Sequence, residues 1–293
     1  MVLCSHDMFL KPESYYLDVQ SEAIIALYNG TWNRSDNSID RNRMIDVSII
    51  NNGQRHQIDT TQWTEENNAT LLHLVTGSTG TYVGGVSTYS RDFKMSAEAF
   101  NDYLKHDGVV DMLDWRRDND ALGDPANERY SKHVKTIFQV GDTRTNDWNR
   151  ALGYPIEFIP LSNPYGAEAG GELAFKLLRD GVPLPNQLVY FGAAHDHEHH
   201  HDEGDDHTHD ATQLTTDGNG IVTVTIMEEG IHYLRTIHMQ LSNQDDLTHE
   251  SNWATITFEV GHGHSHNYKQ LFYLLGGIFI LSLTLYLYHK KTS

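Results

Sequence analysis

Residues 215–239 read TTDGNGIVTVTIMEEGIHYLRTIHM, and this segment carries a clear signal for two strands. Its runs Ile221–Ile226 and His232–Met239 are rich in β-branched and aromatic residues, and Glu229-Gly230 lies between them. Such residues favour strands, and glycine favours the turn that joins them. The segment therefore predicts two strands separated by a turn.

The same alternation of short strands and turns extends in both directions along the chain. Further predicted strands are Tyr15–Val19, Ala23–Tyr28, Met44–Ile50, Leu71–Val75, Thr81–Thr88, His133–Val140, Glu157–Pro160, Glu172–Arg179, Gln187–Phe191 and Trp253–Val260. Many short strands with regular turns are typical of β-sandwiches. We therefore predict a mainly β protein with two antiparallel β-sandwich domains, immunoglobulin-like or transthyretin-like, over residues 6–150 and 151–261.

One helix interrupts the first predicted domain. Ser96 can cap its start, and Phe100, Tyr103 and Leu104 share one face at helical spacing. Gly108 can end it. The charged residues 110–131 that follow predict a solvated, irregular connection, although Arg116 and Arg117 could be structural, and residues 141–153 predict a linker between the two domains.

The C-terminal part predicts a membrane anchor. Leu271–Tyr288 has no charged residue, and 18 helical residues extend roughly 27 Å, which is close to the thickness of the hydrocarbon core. We predict a transmembrane helix over residues 268–289 and, because Lys290 and Lys291 follow it, a cytoplasmic tail over residues 290–293. The rest of the chain is then outside the cytoplasm, on the periplasmic side. The alternative is a buried helix of a soluble domain.

The N-terminal residues predict export and processing. Residues 1–5 (MVLCS) are interpreted as the remnant of a signal peptide, and cleavage after Ser5 would expose His6. A lipoprotein signal ending at Cys4 is the rival interpretation. Because Cys4 is the sole cysteine, the chain forms no intramolecular disulfide and no cysteine-based zinc site.

Composition indicates that the protein attracts cations. The formal net charge is -19, which disfavours nucleic acid and anionic lipid head groups as partners. The chain also contains 19 histidines, and histidine is the commonest protein ligand for transition metals. Any metal site must therefore combine imidazoles with carboxylates.

The segment His195–Asp210 reads HDHEHHHDEGDDHTHD and contains no apolar residue. Neutral imidazoles bind Ni, Co, Zn and Cu, and the carboxylates offset the charge of the ion. Because no fixed spacing selects one geometry, we predict several ions of modest affinity and broad selectivity; the alternative is a solvating acidic loop. The predicted ligands are His195, His197, His199, His200, His201, His207 and His209.

Two further metal sites are predicted. Residues 262–267 form a histidine-rich juxtamembrane linker in which His262, His264 and His266 alternate with small residues, with a plain spacer as the alternative. A terminal His6 could chelate an ion through its amine and imidazole, with a frayed terminus as the alternative. Its candidate third ligands, which could equally be ordinary β-sheet histidines, are His73, His133, His232 and His238.

Five segments in order resemble one family. They are HDMFLKP (6–12), YSKHVKTIFQVG (130–141), LGYPIEFIPLSNPY (152–165), FKLLRDGVPLPNQLVYF (175–191) and the segment 215–239 quoted above. Together they resemble the domain of unknown function 4198 family, which is described as a periplasmic component of cobalt/nickel transport or as a nickel uptake substrate-specific transmembrane region. The resemblance implies a secreted pair of β-sandwiches, a metal-ion role and a mature chain that begins at His6.

The sequence contains no recognisable enzyme signature: it lacks a Gly-x-Ser-x-Gly elbow, a His-Glu-x-x-His motif and a phosphate-binding loop. The predicted function is therefore non-enzymatic capture of Ni or Co, or of Zn or Cu, by a membrane-anchored protein that assists a metal transporter subunit. The first alternative is an envelope interaction or adhesion protein with incidental histidines. The second is a copper oxidase with an N-terminal histidine.

Overall fold

The computed structural model describes residues 7–194 and 211–261. The described residues up to Val140 form ten strands and two helices. The strands are β1 (Asp7–Pro12), β2 (Tyr16–Leu17), β3 (Glu22–Gly30), β4 (Met44–Asn51), β5 (Gln54–Gln57), β6 (Trp63–Glu66), β7 (Ala69–Val75), β8 (Gly80–Thr88), β9 (Arg91–Met95) and β10 (Ala126–Val140). The helices are α1 (Ala97–His106) and α2 (Val110–Asp118).

The described residues after Val140 add eight strands. They are β11 (Ile156–Pro160), β12 (Glu172–Arg179), β13 (Val182–Pro183), β14 (Leu188–Ala193), β15 (Thr212–Thr215), β16 (Ile221–Thr225), β17 (Gly230–Leu241) and β18 (His249–Val260). Single turns of 3-10 helix occur at Arg41–Arg43, Thr60–Gln62, Asp147–Asn149 and Pro164–Gly166. The prediction of a mainly β protein is confirmed.

The strands form three sheets. The central sheet has ten strands in the order β15-β14-β17-β18-β10-β8-β4-β5, with β2 and β9 also paired to β10. The N-terminal flanking sheet has the order β1-β3-β7-β6, and the C-terminal flanking sheet consists of β11, β12, β13 and β16. Both halves of the chain thus contribute strands to the central sheet.

The two flanking sheets cover opposite faces of the central sheet. The ammonium of Lys132 on β10 donates to Asn29 of the N-terminal flanking sheet, whereas that of Lys135 donates to Glu157 of the C-terminal flanking sheet. Successive strand residues point to opposite faces, so positions three apart do as well. The arrangement therefore has three layers. Helices α1 and α2 cover another part of the face that carries the N-terminal flanking sheet, where Tyr103 of α1 and Trp253 of β18 belong to one buried cluster.

Strand pairing differs from the predicted pair of purely antiparallel sandwiches. Strand β10 of the first half pairs in parallel with β18 of the second half, from Glu128↔His249 to Thr136↔Thr257. Every residue of β10 from Ser131 to Val140 is buried, as expected for a strand covered on both faces. The boundary predicted at residue 150 therefore marks a change of sheet, and hydrogen bonds of the central sheet connect the two sides of it.

The predicted helix is confirmed as α1. The side-chain oxygen of Ser96 accepts a hydrogen bond from the backbone of Ala99, and the predicted apolar face is buried. Gly108 follows with a φ of +75°, and a Cβ there would lie 2.4 Å from the hydroxyl of Tyr190. Only glycine allows this close contact between the turn and the central sheet.

Residues 110–131 are not the irregular connection that their charge predicted, because α2 and the start of β10 lie within them. The helix is stabilised by a buried arginine. Arg116 donates to the side chain of Asn101 and to the carbonyl of Asp124, and it lies 4.9 Å from the ring centre of Phe100. These hydrogen bonds satisfy the buried guanidinium, so the alternative that Arg116 is structural holds.

Residues 141–153 are held tightly to the core and do not form a free linker. Asp147 accepts hydrogen bonds from the backbone of Gly53 and the side chain of Thr145. Leu152 is 4% exposed, and its backbone N–H donates to the carboxylate of Glu157. Buried polar contacts of this kind fix the path of the chain between β10 and β11.

Candidate functional site

The predicted metal ligands lie outside the described residues. This applies to His6, to the seven histidines of His195–Asp210, to His262, His264 and His266, and also to the predicted transmembrane helix. No helix within residues 7–194 and 211–261 is long and apolar enough to cross a membrane. The described residues that flank these segments fix where each segment is attached.

The two ends of the histidine-rich segment are brought together by strand pairing. Strands β14 and β15 are antiparallel neighbours, in register from Leu188↔Thr215 to Phe191↔Thr212. The chain that leaves β14 therefore returns to the same end of the sheet, with β15 outermost in the strand order. As a result, the segment with its seven imidazoles and seven carboxylates is attached at both of its ends to the same edge of the central sheet.

The end of β14 is also anchored to β17. Ala193 is paired with His232, and the backbone N–H of Ala194 donates to the carbonyl of Ile231 at 2.8 Å. Strand β18 reaches the same end of the central sheet, where Val260 is paired with Gly230. The histidine-rich segment thus starts from a firmly paired end of the sheet, and Gly261 lies at this end too.

A buried group of charged side chains surrounds Asp7, the first described residue. Its carboxylate lies 3.4 Å from Nε of Arg235, which is also buried and donates to the carbonyl of Asp107. Oδ2 of Asp107 is buried and has no hydrogen-bond partner among the described residues, and burial raises the pKa of this carboxyl well above its usual value. Burial also lowers the pKa of Lys132 to about 8, with Asp7 acting in the opposite direction.

This charged group has almost no free space. The cavity between Asp7, Lys132 and Trp253 has a volume of about 10 Å³, which is room for one water molecule at most. The cavity therefore fits no organic ligand, and the charged side chains here serve to join β1, α1 and the central sheet.

The four histidines considered as third ligands all have hydrogen-bond partners within the protein. His133 uses both ring nitrogens, with Ser87 at 2.9 Å and Ser131 at 3.0 Å. The other contacts are His73 Nε2 to Thr64, His232 Nε2 to the carbonyl of Glu228, and His238 Nδ1 to Gln187. Each ring is thus held by a hydrogen bond within the protein.

Within the described part of the chain, no three His, Cys, Asp or Glu side chains are grouped closely enough to hold a metal ion. Sequence reasoning missed the buried charged group around Asp7. No local signal could have found it, because its members come from β1, the residue after α1, β10 and β17, and meet only in the folded chain.

These features define a mainly β protein in which a ten-stranded sheet lies between two smaller sheets and carries a histidine- and carboxylate-rich connection at one end. The chain belongs to the family described as Domain of unknown function (DUF4198), which matches residues 3–240. The resemblance inferred from five segments is thereby confirmed at the level of the family.

No curated protein matches the chain. Among solved structures, the D0-D1 domain of intimin is 11% identical, with 85% of this chain and 96% of that chain covered and a TM-score of 0.21. The E. coli adhesin FdeC is 12% identical, with 88% of this chain and 65% of that chain covered and a TM-score of 0.22. A Y1175G mutant of Salmonella alpha-2-macroglobulin is 11% identical, with 86% of this chain but only 15% of that chain covered and a TM-score of 0.21. Scores this low carry no functional inference.

Proposed function

We propose that this chain is a metal-binding protein of the cell envelope that captures Ni²⁺, Co²⁺, Zn²⁺ or Cu²⁺ through His195–Asp210. The observation that carries this proposal is the pairing of β14 with β15, which tethers both ends of a segment with seven histidines and seven carboxylates. Tethering keeps several ligands within reach of one ion, so that the first bond to the ion favours the next.

Ligand chemistry sets the selectivity that we propose. Imidazole suits Zn, Cu, Fe and Ni, whereas hard ions such as Mg and Ca prefer oxygen ligands. The segment offers both ligand types without one fixed spacing, so it takes several ions of modest affinity. The net charge of -19 adds a long-range attraction for cations.

The wider role that we propose is delivery of metal ions to a transporter subunit in the same membrane. The family resemblance supports Co and Ni as the first candidates. The proposed anchor is the single helix at residues 268–289, which leaves the large β-rich part on the periplasmic side and residues 290–293 in the cytoplasm. His262, His264 and His266, next to that anchor, form a second proposed set of ligands, and no catalytic step is part of the proposal.

His6 is the weakest of the proposed ligands. Its neighbour Asp7 lies 3.4 Å from the guanidinium of Arg235, and Lys132 lines the same small cavity. The carboxylate of Asp7 is therefore already paired with a cation, which weakens the attraction that it could add for a divalent ion. The described surroundings therefore favour the His195–Asp210 segment over the terminal chelate.

Two variants of the full chain distinguish metal ligation by imidazoles from an effect of the carboxylate charges. In the first, the seven histidines of the segment become Asn; in the second, its Asp and Glu residues become Asn and Gln. Equilibrium dialysis against Ni²⁺ at pH 7.5 should show that the histidine variant loses most bound ions, while the carboxylate variant retains them with weaker affinity.

Wild-type binding should also fade as the pH falls below about 6, because protonated imidazole cannot ligate a metal. Equal Ni²⁺ stoichiometry in wild type and the histidine variant would contradict the proposal. So would Ni²⁺ binding that is lost only in the carboxylate variant, which would indicate ligation by carboxylates and not by imidazoles.

A further inference from the structure

An open groove crosses one end of the N-terminal flanking sheet, far along the chain from the histidine-rich segment. Its volume is about 490 Å³, within the range of about 300–1,000 Å³ that is usual for ligand pockets. It is lined mainly by Glu13, Glu22, Ile24, Gln62, His73 and Val75. The groove thus runs across the strands of this sheet, from Glu13 just after β1, over β3 and β7, to Gln62 just before β6.

The groove combines apolar and acidic surface. Val75 on β7 is 68% exposed, and it is the register partner of Glu22 on β3. Ile24, two residues further along β3, is half-buried, while Glu13 and Glu22 are exposed. The described residues that line the groove include no lysine or arginine. An exposed apolar side chain beside two carboxylates favours a ligand that carries both an apolar group and a cation.

The lining is held in place before any ligand binds. Nε2 of His73 lies 2.7 Å from the hydroxyl of Thr64, and the side-chain amide of Gln62 donates to the carbonyl of His73 at 3.1 Å. These contacts also occupy the imidazole nitrogen that faces Thr64. Together with the absence of a three-ligand group among the described residues, they disfavour a metal ion as the occupant.

We propose that this groove binds an extended peptide segment of a partner protein that carries Lys or Arg beside an apolar side chain. Charge complementarity selects this occupant, since the cation pairs with Glu13 or Glu22 while the apolar group covers Val75. A second copy of the chain, with its own net charge of -19, is repelled. A glycan is disfavoured because the lining contains no Trp, Tyr or Phe ring for a sugar to stack on. This binding is independent of the proposed metal capture.

Fluorescence anisotropy of the full chain with labelled five-residue peptides tests the proposal. The probe is acetyl-Val-Lys-Val-Arg-Leu-amide, and the comparison peptides are acetyl-Val-Glu-Val-Glu-Leu-amide and acetyl-Gly-Lys-Gly-Arg-Gly-amide. The probe should bind more tightly than both. The double variant E13Q/E22Q should raise its Kd about five-fold or more, as expected for the loss of two exposed charge contacts. The variant V75N should weaken the probe with little effect on the glycine peptide.

The matched control is E65Q/E66Q, which removes the same charge from β6 of the same sheet outside the groove. It should change the Kd less than two-fold. The proposal is overturned if the probe fails to bind at 1 mM, if either comparison peptide binds as tightly, or if the control weakens binding as much as E13Q/E22Q. Circular dichroism of every variant confirms that these exposed substitutions leave the fold intact.

Discussion

Replacement of Lys135 by Met should lower the free energy of unfolding by about 3–5 kcal/mol, the usual cost of removing one partner of a buried ion pair. Lys135 Nζ donates to Glu157 Oε2 at 2.9 Å, and the two side chains are 1% and 3% exposed. The remaining ammonium protons reach the carbonyls of Phe158 and Arg150. The variant leaves Glu157 buried without its cation and these carbonyls without a donor.

Urea unfolding followed by circular dichroism measures this loss, with R117M as the matched control. Arg117 pairs with Asp114 at 2.5 Å, but both side chains are more than half exposed, so the control should lose less than about 1 kcal/mol. A loss in K135M no larger than that in R117M would show that the ion pair does not join the central sheet to the C-terminal flanking sheet.

Replacement of His249 by Phe should make the fold more resistant to acid. His249 is 3% exposed, and its ring centre lies 4.6 Å from that of Phe100. Its Nε2 has no hydrogen-bond partner in the part of the chain that the structure describes. Burial lowers the pKa of His249 to about 4, below the value of about 6.5 in an unfolded chain. The unfolded chain therefore takes up a proton first, and the stability that the neutral ring provides is fully present above about pH 6.5 and lost as the pH falls towards 4.

The measured quantity is the difference in unfolding free energy between H249F and wild type. It should grow in favour of the variant by about 2–3 kcal/mol between pH 7.5 and pH 4.5. Taking the difference matters because Asp107 and Glu128, whose pKa values are raised mainly by burial, stabilise the fold as the pH falls. A difference that stays constant over this range would contradict a buried neutral His249.

Local elements of the fold could be predicted well from the sequence, because their signals are local. The Ser96 cap and the apolar face of α1 were predicted from spacing alone, and the strand predicted at Glu172–Arg179 matches β12. Strand β15 (Thr212–Thr215) was missed, because it is a short, largely exposed edge strand with little apolar pattern.

Strand partners could not be predicted, because strand patterns do not say which strands pair. Lys132 and Lys135 are the instructive case. Two lysines in a strand suggest a solvent face, yet both are buried, one against each flanking sheet. Their partners Asn29 and Glu157 are 103 and 22 residues away along the chain. Pairing over such distances depends on the assembled fold.

The candidate metal ligands could be predicted from composition, while their placement depends on the structure. Seven histidines in 16 residues are apparent in the sequence, but the closure of that segment by β14 and β15 is not. β15 had no predicted counterpart, so the sequence alone left the return point of the chain undefined. The structure supplies it through the register of Phe191 with Thr212.

Calorimetric titration of the full chain and of a variant lacking residues 195–210 tests the proposed metal capture most directly. In this variant a Gly/Ser linker of the same length replaces the segment, which leaves the pairing of Ala193 with His232 and of Phe191 with Thr212 intact, so stability in urea should stay within about 0.5 kcal/mol of wild type. With Ni²⁺ at pH 7.5, the variant should bind a minority of the ions that the intact chain binds. Unchanged Ni²⁺ stoichiometry in a stably folded variant would contradict metal capture by this segment.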